Sequence, residues 1–347
     1  MQLFTNDLGV DLGTANVLIC QKKDGIVVRE PSVVTLDKNS GRITAVGAQA
    51  RSMLGRTPGN MVAMSPLKGG VISDHEMTVQ MLQEMFRKAT KSKKKLFTPK
   101  PRVIISVPSG VTEIEERSVI NAALEAGARR VYLIEEPMAA ALGAGLDISG
   151  PTGYMVVDIG GGTTDIAVLA LNGIATSSSI KTAGNAFDEA IIRHLRRDCD
   201  LVIGQTTAEE IKIRIGCVYP QPDSSSMTVL GRNAVTGMPK ELTFASEDLL
   251  NVLFRPARQI ADEVLTVLEN TSPELVGDIA RNGIILTGGG SQLRGMATLL
   301  TERTGIKCSV ADDPGSCVAY GCGRSLEWMS KLREGPLNIA RKRILKG

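Results

Sequence analysis

Eight residues hold the densest chemistry in the chain: Asp158-Ile159-Gly160-Gly161-Gly162-Thr163-Thr164-Asp165. An apolar run, Tyr154-Met155-Val156-Val157, precedes them, and a second, Ile166-Ala167-Val168-Leu169-Ala170, follows. This pattern predicts a hairpin whose tip lacks side chains over three residues, where bare backbone N–H groups can close on phosphate oxygens. The flanking acids cannot touch a phosphate, but they can face a Mg2+ ion and its waters, because that ion keeps much of its hydration and accepts carboxylate oxygens. By itself the stretch also fits an ordinary glycine turn. Near the N-terminus the plan recurs in Val10-Asp11-Leu12-Gly13-Thr14-Ala15-Asn16-Val17-Leu18-Ile19. Two Asp-x-Gly turns predict two similar domains, each offering a hairpin to one nucleotide held between them. A third glycine cluster, Ile284-Ile285-Leu286-Thr287-Gly288-Gly289-Gly290-Ser291, follows a strand and reads as opening a helix, a natural seat for a phosphate or sugar edge.

The elements that must position these turns are legible between them. Residues 74–90 predict a helix with Met77, Met81, Met85 and Ala89 on one core-facing stripe, Val79, Leu82 and Phe86 alongside, and Asp74 as N-cap. Residues 102–108 are apolar enough for a central strand of an α/β sheet. Thr112 and Glu115 have capping-box spacing, and Gly127 stops the helix they open. Strand 131–134 leads to Glu135-Glu136-Pro137 and a small-residue helix, Met138 to Gly145, which can lie close to another backbone. Helices are expected at 186–197, at 206–215 with Thr207 and Glu210 in capping-box spacing, at 246–269 with a kink at Pro256, at 291–304 and at 315–328. Residues 33–74 and 217–245 read as small excursions of turns and short strands, and the tail 333–347 as basic and peripheral.

Composition closes off other classes. A chain of 347 residues suits two domains or more, and 43% hydrophobic with 22% charged residues is the balance of a globular protein. No apolar run reaches the length of a membrane span, and the N-terminus lacks the pattern of a secretory signal. Six scattered cysteines without a Cys-x-x-Cys pair, and only two histidines, speak against zinc and disulfide frameworks and for a reducing cytoplasm. Hydrolase triad chemistry has no Gly-x-Ser-x-Gly elbow to rest on. The net charge of +3 conceals two basic patches, at 87–102 and 341–347, neither containing an acid. The remainder is mildly acidic, which argues against a general nucleic-acid binder.

The first patch contains Lys93-Lys94-Lys95-Leu96-Phe97. A charge run is usually a solvated turn. Here two apolar residues sit in a basic collar, which suits an anionic bilayer: the lysines attract headgroups at about 1 kcal/mol each, and Leu96-Phe97 can enter the interface, with Leu3-Phe4 as a second contact.

The three glycine motifs, in this order, resemble those of the superfamily of actin, sugar kinases and heat-shock chaperone ATPases. Further segments narrow the resemblance to the MreB family of bacterial actins: Glu30-Pro31-Ser32-Val33-Val34, Gly55-Arg56-Thr57-Pro58-Gly59, Pro66-Leu67-Lys68-Gly69-Gly70-Val71-Ile72, Glu135-Glu136-Pro137-Met138-Ala139-Ala140-Ala141 and Thr207-Ala208-Glu209-Glu210-Ile211-Lys212. It spans essentially the whole chain. It implies an α/β actin-like ATPase fold with two similar domains, each carrying a small subdomain, around a central nucleotide cleft. The expected boundaries are 1–142 for domain I (IA about 1–32, 75–142 and 320–347; IB about 33–74) and 143–319 for domain II (IIA about 143–180 and 246–319; IIB about 181–245).

The resemblance also implies the ligands. ATP would lie on Asp11, Gly13, Thr14, Ala15, Asn16, Asp158, Gly160, Gly161, Gly162, Gly288, Gly289, Gly290 and Ser291, with Asp11 and Asp158 holding Mg2+ through water. Glu209, Glu210 and Lys212 would surround ribose and adenine; the residues alone allow Glu209 and Lys212 to be a surface ion pair. Glu136, whose charge is in any case favourable at a helix N-terminus, matches the position that orients or deprotonates the attacking water, with Glu135 as its neighbour and Thr163 or Thr164 bonding the same water. Slow ATP hydrolysis is expected. The implied partners are further copies in paired protofilaments, the inner face of the cytoplasmic membrane reached through a hydrophobic loop at Leu96-Phe97, and the cell-wall elongation machinery with its membrane anchors. A small-molecule kinase would need a sugar site that no feature provides, and a chaperone would need a peptide-binding domain beyond the core.

Overall fold

The computed structural model describes residues 7–90 and 100–327 and the short strand Leu337–Asn338. Lys93, Lys94, Lys95, Leu96 and Phe97, and Leu3-Phe4, lie outside the described residues.

Two mixed sheets share one plan. In the first, Gly25–Pro31, Asn16–Gln21 and Leu8–Leu12 form an antiparallel meander, and Arg102–Val107 and then Arg130–Glu135 add in parallel beside Leu8–Leu12. In the second, Gly173–Ile180, Thr164–Ala170 and Tyr154–Ile159 form the meander, and Ile284–Thr287 and Cys308–Val310 add in parallel beside Tyr154–Ile159. The repeated hairpins therefore occupy equivalent places, and each sends its Asp-x-Gly turn off the same end of its central strand. The central strands are apolar throughout because both faces are covered; Val103 to Val107 are all buried. Leu337–Asn338 pairs with Tyr132–Leu133 at the far edge of the first sheet. Part of the tail expected to be peripheral thus completes a sheet.

Helices cover the faces. His75–Thr90 buries Met77, Val79, Met81, Leu82, Met85, Phe86 and Ala89, the stripe expected from its spacing, and Asp74 caps it by accepting from the Met77 amide at 2.9 Å. Glu113–Glu125 carries the full capping box between Thr112 and Glu115. The helix Gln205–Ile215 differs from expectation: Gly204 is its N-cap, so Thr207 and Glu210 are interior and form no box. The third glycine cluster opens a 3-10 turn, Gly289–Gln292, and the α-helix begins only at Met296, after Gly295 in the left-handed region. Glycines at 288–290 favour a tight turn over a helical first turn. A helix at Pro273–Asn282, led by proline in its first turn, was not anticipated. The last helix runs only from Cys317 to Ser325, after a 3-10 turn at Pro314–Ser316.

The small-residue segment forms the helix Glu136–Gly143, which crosses from the first sheet to the second; the return is made by Cys317–Ser325. The two pack at backbone contact, as the run of alanines and glycines predicts. They share a core in which Ile104, Tyr132 and Ile134 of the first sheet meet Val156, Ala167 and Leu169 of the second. The sheets are thus joined along a narrow apolar seam, with small three-stranded sheets attached to each half at Val34–Asp37, Ile43–Val46 and Met61–Met64, and at Leu201–Val202, Ser226–Asn233 and Pro239–Ala245.

Candidate functional site

The two hairpin tips meet above this seam. A Cβ added at Gly161 would stand 2.7 Å from the Ala15 Cβ, and one at Gly162 would collide with the Thr14 side chain, so glycine is required for the tips to touch. The Gly160 amide is used within the turn, donating to the Thr163 carbonyl at 2.9 Å, while the Gly160 and Gly161 carbonyls accept from Gly184 and Asn185 at the start of the helix Gly184–Asp198. The amides of Gly161, Gly162, Thr14 and Ala15 donate to no protein acceptor among the described residues. They are available to an anion. Gly288 and Gly290 lean on Ile159, where a Cβ would strike its carbonyl oxygen and side chain respectively, bringing the third cluster against the second turn.

Between these turns lies a chamber of about 80 Å3 lined by Asp11, Gly13, Thr14, Ala15, Asn16, Glu136, Asp158, the three glycines at 160–162, Thr163, Gly288 and Gly289, with Gly70, Pro314 and Gly315 closing it. It communicates through Ala15, Asn16, Gly160, Gly161 and Gly289 with an outer chamber of about 470 Å3, which carries Asp188, Glu209, Lys212, Ile213, Gly290, Gln292 and Leu293. One half is acidic and glycine-lined; the other is partly apolar with a few convergent polar groups, the usual make-up of a small-molecule site.

The inner chamber concentrates negative charge. Burial, then the neighbouring Asp158, pushes the Asp11 carboxyl up to about 7, against a hydrogen bond from Ser106 and the more distant Arg29. Asp158 is likewise pushed up to about 7 by burial, although Thr287 donates to it at 2.6 Å. Burial raises Glu136 well above the ordinary carboxylate value, and Asp165, Asp11 and Asp158 add to the rise. Asp165 is also raised by burial and shares a hydrogen bond with Glu136; its Oδ1 accepts from the Ser109 amide at 2.8 Å. Three buried carboxyls and the half-buried Asp11, with so little countercharge, call for a cation. Among the described residues no three His, Cys, Asp or Glu side chains form a metal cage. The two carboxylates that line the chamber beside the glycine turns, Asp11 and Asp158, supply hard oxygen donors of the kind that suits an ion keeping much of its own water, as Mg2+ does.

Most of the residues singled out from the sequence line these chambers, but three do not. Thr164 is fully buried with its hydroxyl donating to the Thr182 carbonyl at 2.7 Å. Alternation along the strand Thr164–Ala170 turns it to the face opposite Asp165. Ser291 is buried and donates to the Gly288 carbonyl at 2.7 Å, bracing the turn from behind. Glu210 points to solvent and pairs with Arg214 one helical turn on. Glu135 accepts from Ser109 at 3.0 Å, whereas Glu136 faces the chamber. Glu209 and Lys212 do not pair with each other: Lys212 binds Asp188 at 2.8 Å and the Gly184 carbonyl at 3.0 Å, and Glu209 binds Arg51. Sequence reasoning counted Asp165 only as one of the two acids flanking the glycines, and passed over Asp188. Asp165 stands directly opposite Asp158 in the hairpin register, and Asp188 shares the inward stripe of Ile191 and Leu195 at helical spacing. Both signals were readable.

Two sheets of identical plan, joined by a crossover helix and clasping a glycine-lined cleft, define an actin-like fold. The MreB/Mbl protein family matches residues 5–334, and the chain belongs to it. It is 48% identical over 336 residues to the cell shape-determining protein Mbl of Bacillus subtilis (strain 168), covering 97% of this chain and 100% of the relative. It is 48% identical over 329 residues to the cell shape-determining protein MreB of Escherichia coli (strain K12), covering 94% of each. The crystal structure of MreB 5 of Spiroplasma citri bound to AMPPNP superposes with a TM-score of 0.87 at 39% identity, covering 93% of this chain and 96% of that one. Among the described residues no helix is long and apolar enough to cross a membrane.

Proposed function

We propose that this chain is an ATP-dependent, filament-forming cell-shape protein that hydrolyses ATP slowly. It consists of two domains bounded near residue 142, with the cleft between them. The observation that carries the reading is the tip-to-tip meeting of the Asp11–Asn16 and Asp158–Thr163 turns around buried Glu136. The amides of Thr14, Ala15, Gly161 and Gly162 take the phosphates, and the outer chamber takes the nucleoside, with Lys212 and Glu209 on its wall. Asp11 and Asp158 would hold Mg2+ through its waters; when bound, the ion supplies the charge neutralisation that phosphoryl transfer needs.

Glu136 holds the attacking water by hydrogen bonds, assisted by Thr163. Burial and the neighbouring Asp165, Asp11 and Asp158 hold its carboxyl above the ordinary value. Its part is to position the water, and a site that works mainly by positioning fits slow turnover. Thr164, committed to Thr182, has no part in this scheme. The likeness to cell shape-determining relatives supports the remainder: polymerisation in paired protofilaments, a cytoplasmic location on the inner face of the membrane with Leu96-Phe97 and Lys93, Lys94 and Lys95 as the contact, and coupling to cell-wall elongation and its membrane anchors.

Co-sedimentation with anionic liposomes, with and without ATP-Mg2+, tests the reading. The native chain is expected to pellet as filaments on lipid with ATP, and Leu96→Ser/Phe97→Ser to stay off the lipid. A native chain that neither assembles nor binds lipid, yet turns over ATP when small metabolites are added, would be a kinase instead.

A further inference from the structure

One contact bridges the two halves beside the outer chamber. Arg51, on the short helix Ala48–Ser52 of the first half, donates to Glu209 Oε2 on the helix Gln205–Ile215 of the second. Their side chains are 34 and 29% exposed, so the pair sits where the chamber meets solvent. Both arms are anchored. Glu30 Oε2 accepts from the Ala48 amide at 2.8 Å, fixing the start of the Arg51 helix, while Glu30 Oε1 pairs with Lys88 at 2.5 Å. Gly47, at φ +73°, lets the chain enter that helix past Glu30; a Cβ there would overlap the Glu30 carboxylate. On the other side, Lys212 ties the Glu209 helix to Asp188 at 2.8 Å.

We propose that Arg51 is a positioning residue that latches the mouth of the cleft: it holds Glu209 across the gap and sets how fast the bound nucleotide leaves. The proposal rests on the nucleotide reading of the cleft. Arg51 engages one carboxylate oxygen of Glu209, so Oε1 remains for a sugar hydroxyl of the ligand. The same side chain then closes the gate and touches its contents. Opening the mouth requires breaking this pair, and the anchors at Glu30 and Asp188 prevent either arm from simply following the other.

The test is the dissociation rate of a fluorescent ATP analogue from the full chain, chased with excess ATP in Mg2+. Arg51→Ala is expected to release the analogue about fivefold faster, the scale of a partly exposed ion pair, with an unchanged circular dichroism spectrum. Arg51→Lys should recover most of the native rate. Raising salt should speed release from the native chain toward the Arg51→Ala rate and leave that variant nearly unaffected. Release from Arg51→Ala within twofold of native, or a salt response equal in both, overturns the latch. If the native chain binds no analogue at all, the nucleotide reading itself fails and the latch falls with it.

Discussion

Gly321 lies against Ala139 so closely that a Cβ on Gly321 would stand 1.8 Å from the Ala139 carbonyl oxygen, and Gly143 meets the Cys317 carbonyl in the same way. These two contacts lock the crossover helix to the return helix at the seam between the sheets. The contact is backbone against atom, so no rotamer change can relieve an added methyl.

Gly321→Ala is therefore expected to cost about 2–3 kcal/mol of stability, as overpacked core sites do. Gly277, in the exposed helix Pro273–Asn282 with open space around its Cβ position, is the contrasting case. Gly277→Ala should stabilise by about 0.5–1 kcal/mol through helix propensity. Chemical denaturation of the two variants beside the native chain checks both signs.

Asp11 and Asp158 give the ligand-free protein a pH dependence with a defined sign. Both carboxyls are raised from 3.8 to about 7 in the fold. The stability gained by retaining those protons is fully present below the ordinary carboxylate value and is lost as pH rises through about 7. Without ligand, the melting temperature should fall between pH 6 and pH 8. Millimolar Mg2+ with ATP should flatten the fall, because a nearby cation favours the ionised carboxylates. Asp11→Asn should remove part of the slope; an unchanged slope would show that these groups are not its source.

Gly161→Asp places a carboxylate at the point where the hairpin tips touch, 2.7 Å from Ala15 at its Cβ. Like charge against phosphate costs several kcal/mol, so ATP affinity should drop by about 100-fold or more. Isothermal titration calorimetry decides this, and retained native affinity would remove the cleft as the binding site.

Glu136→Gln replaces a buried carboxyl, held above the ordinary value by burial and its acidic neighbours, with a near-isosteric amide. The melting temperature at pH 8 is expected to hold or rise, ATP affinity to stay within a few-fold, and the hydrolysis rate to fall about 100-fold, the lower range for a positioned acid–base group. Phosphate release measured at saturating ATP separates this outcome from a loss of binding.

Much of this protein was written in the sequence. The two Asp-x-Gly turns announced a duplicated sheet because a strand–glycine–strand pattern is local: neighbouring residues decide it without help from elsewhere. The Met77–Ala89 stripe, the Thr112–Glu115 box and the small residues from Met138 onward were legible for the same reason, since helical spacing and capping act within a few residues. The tertiary structure decided what depends on distant partners. It turned Thr164 toward Thr182, gave Lys212 to Asp188 and Glu209 to Arg51, and brought Asp165 against Glu136. These pairings join residues far apart in sequence and have no local signature. The first two follow from packing within the second half, the other two from how the halves and the crossover helix meet, and burial there, rather than residue type, is what raises the carboxyls of the cleft.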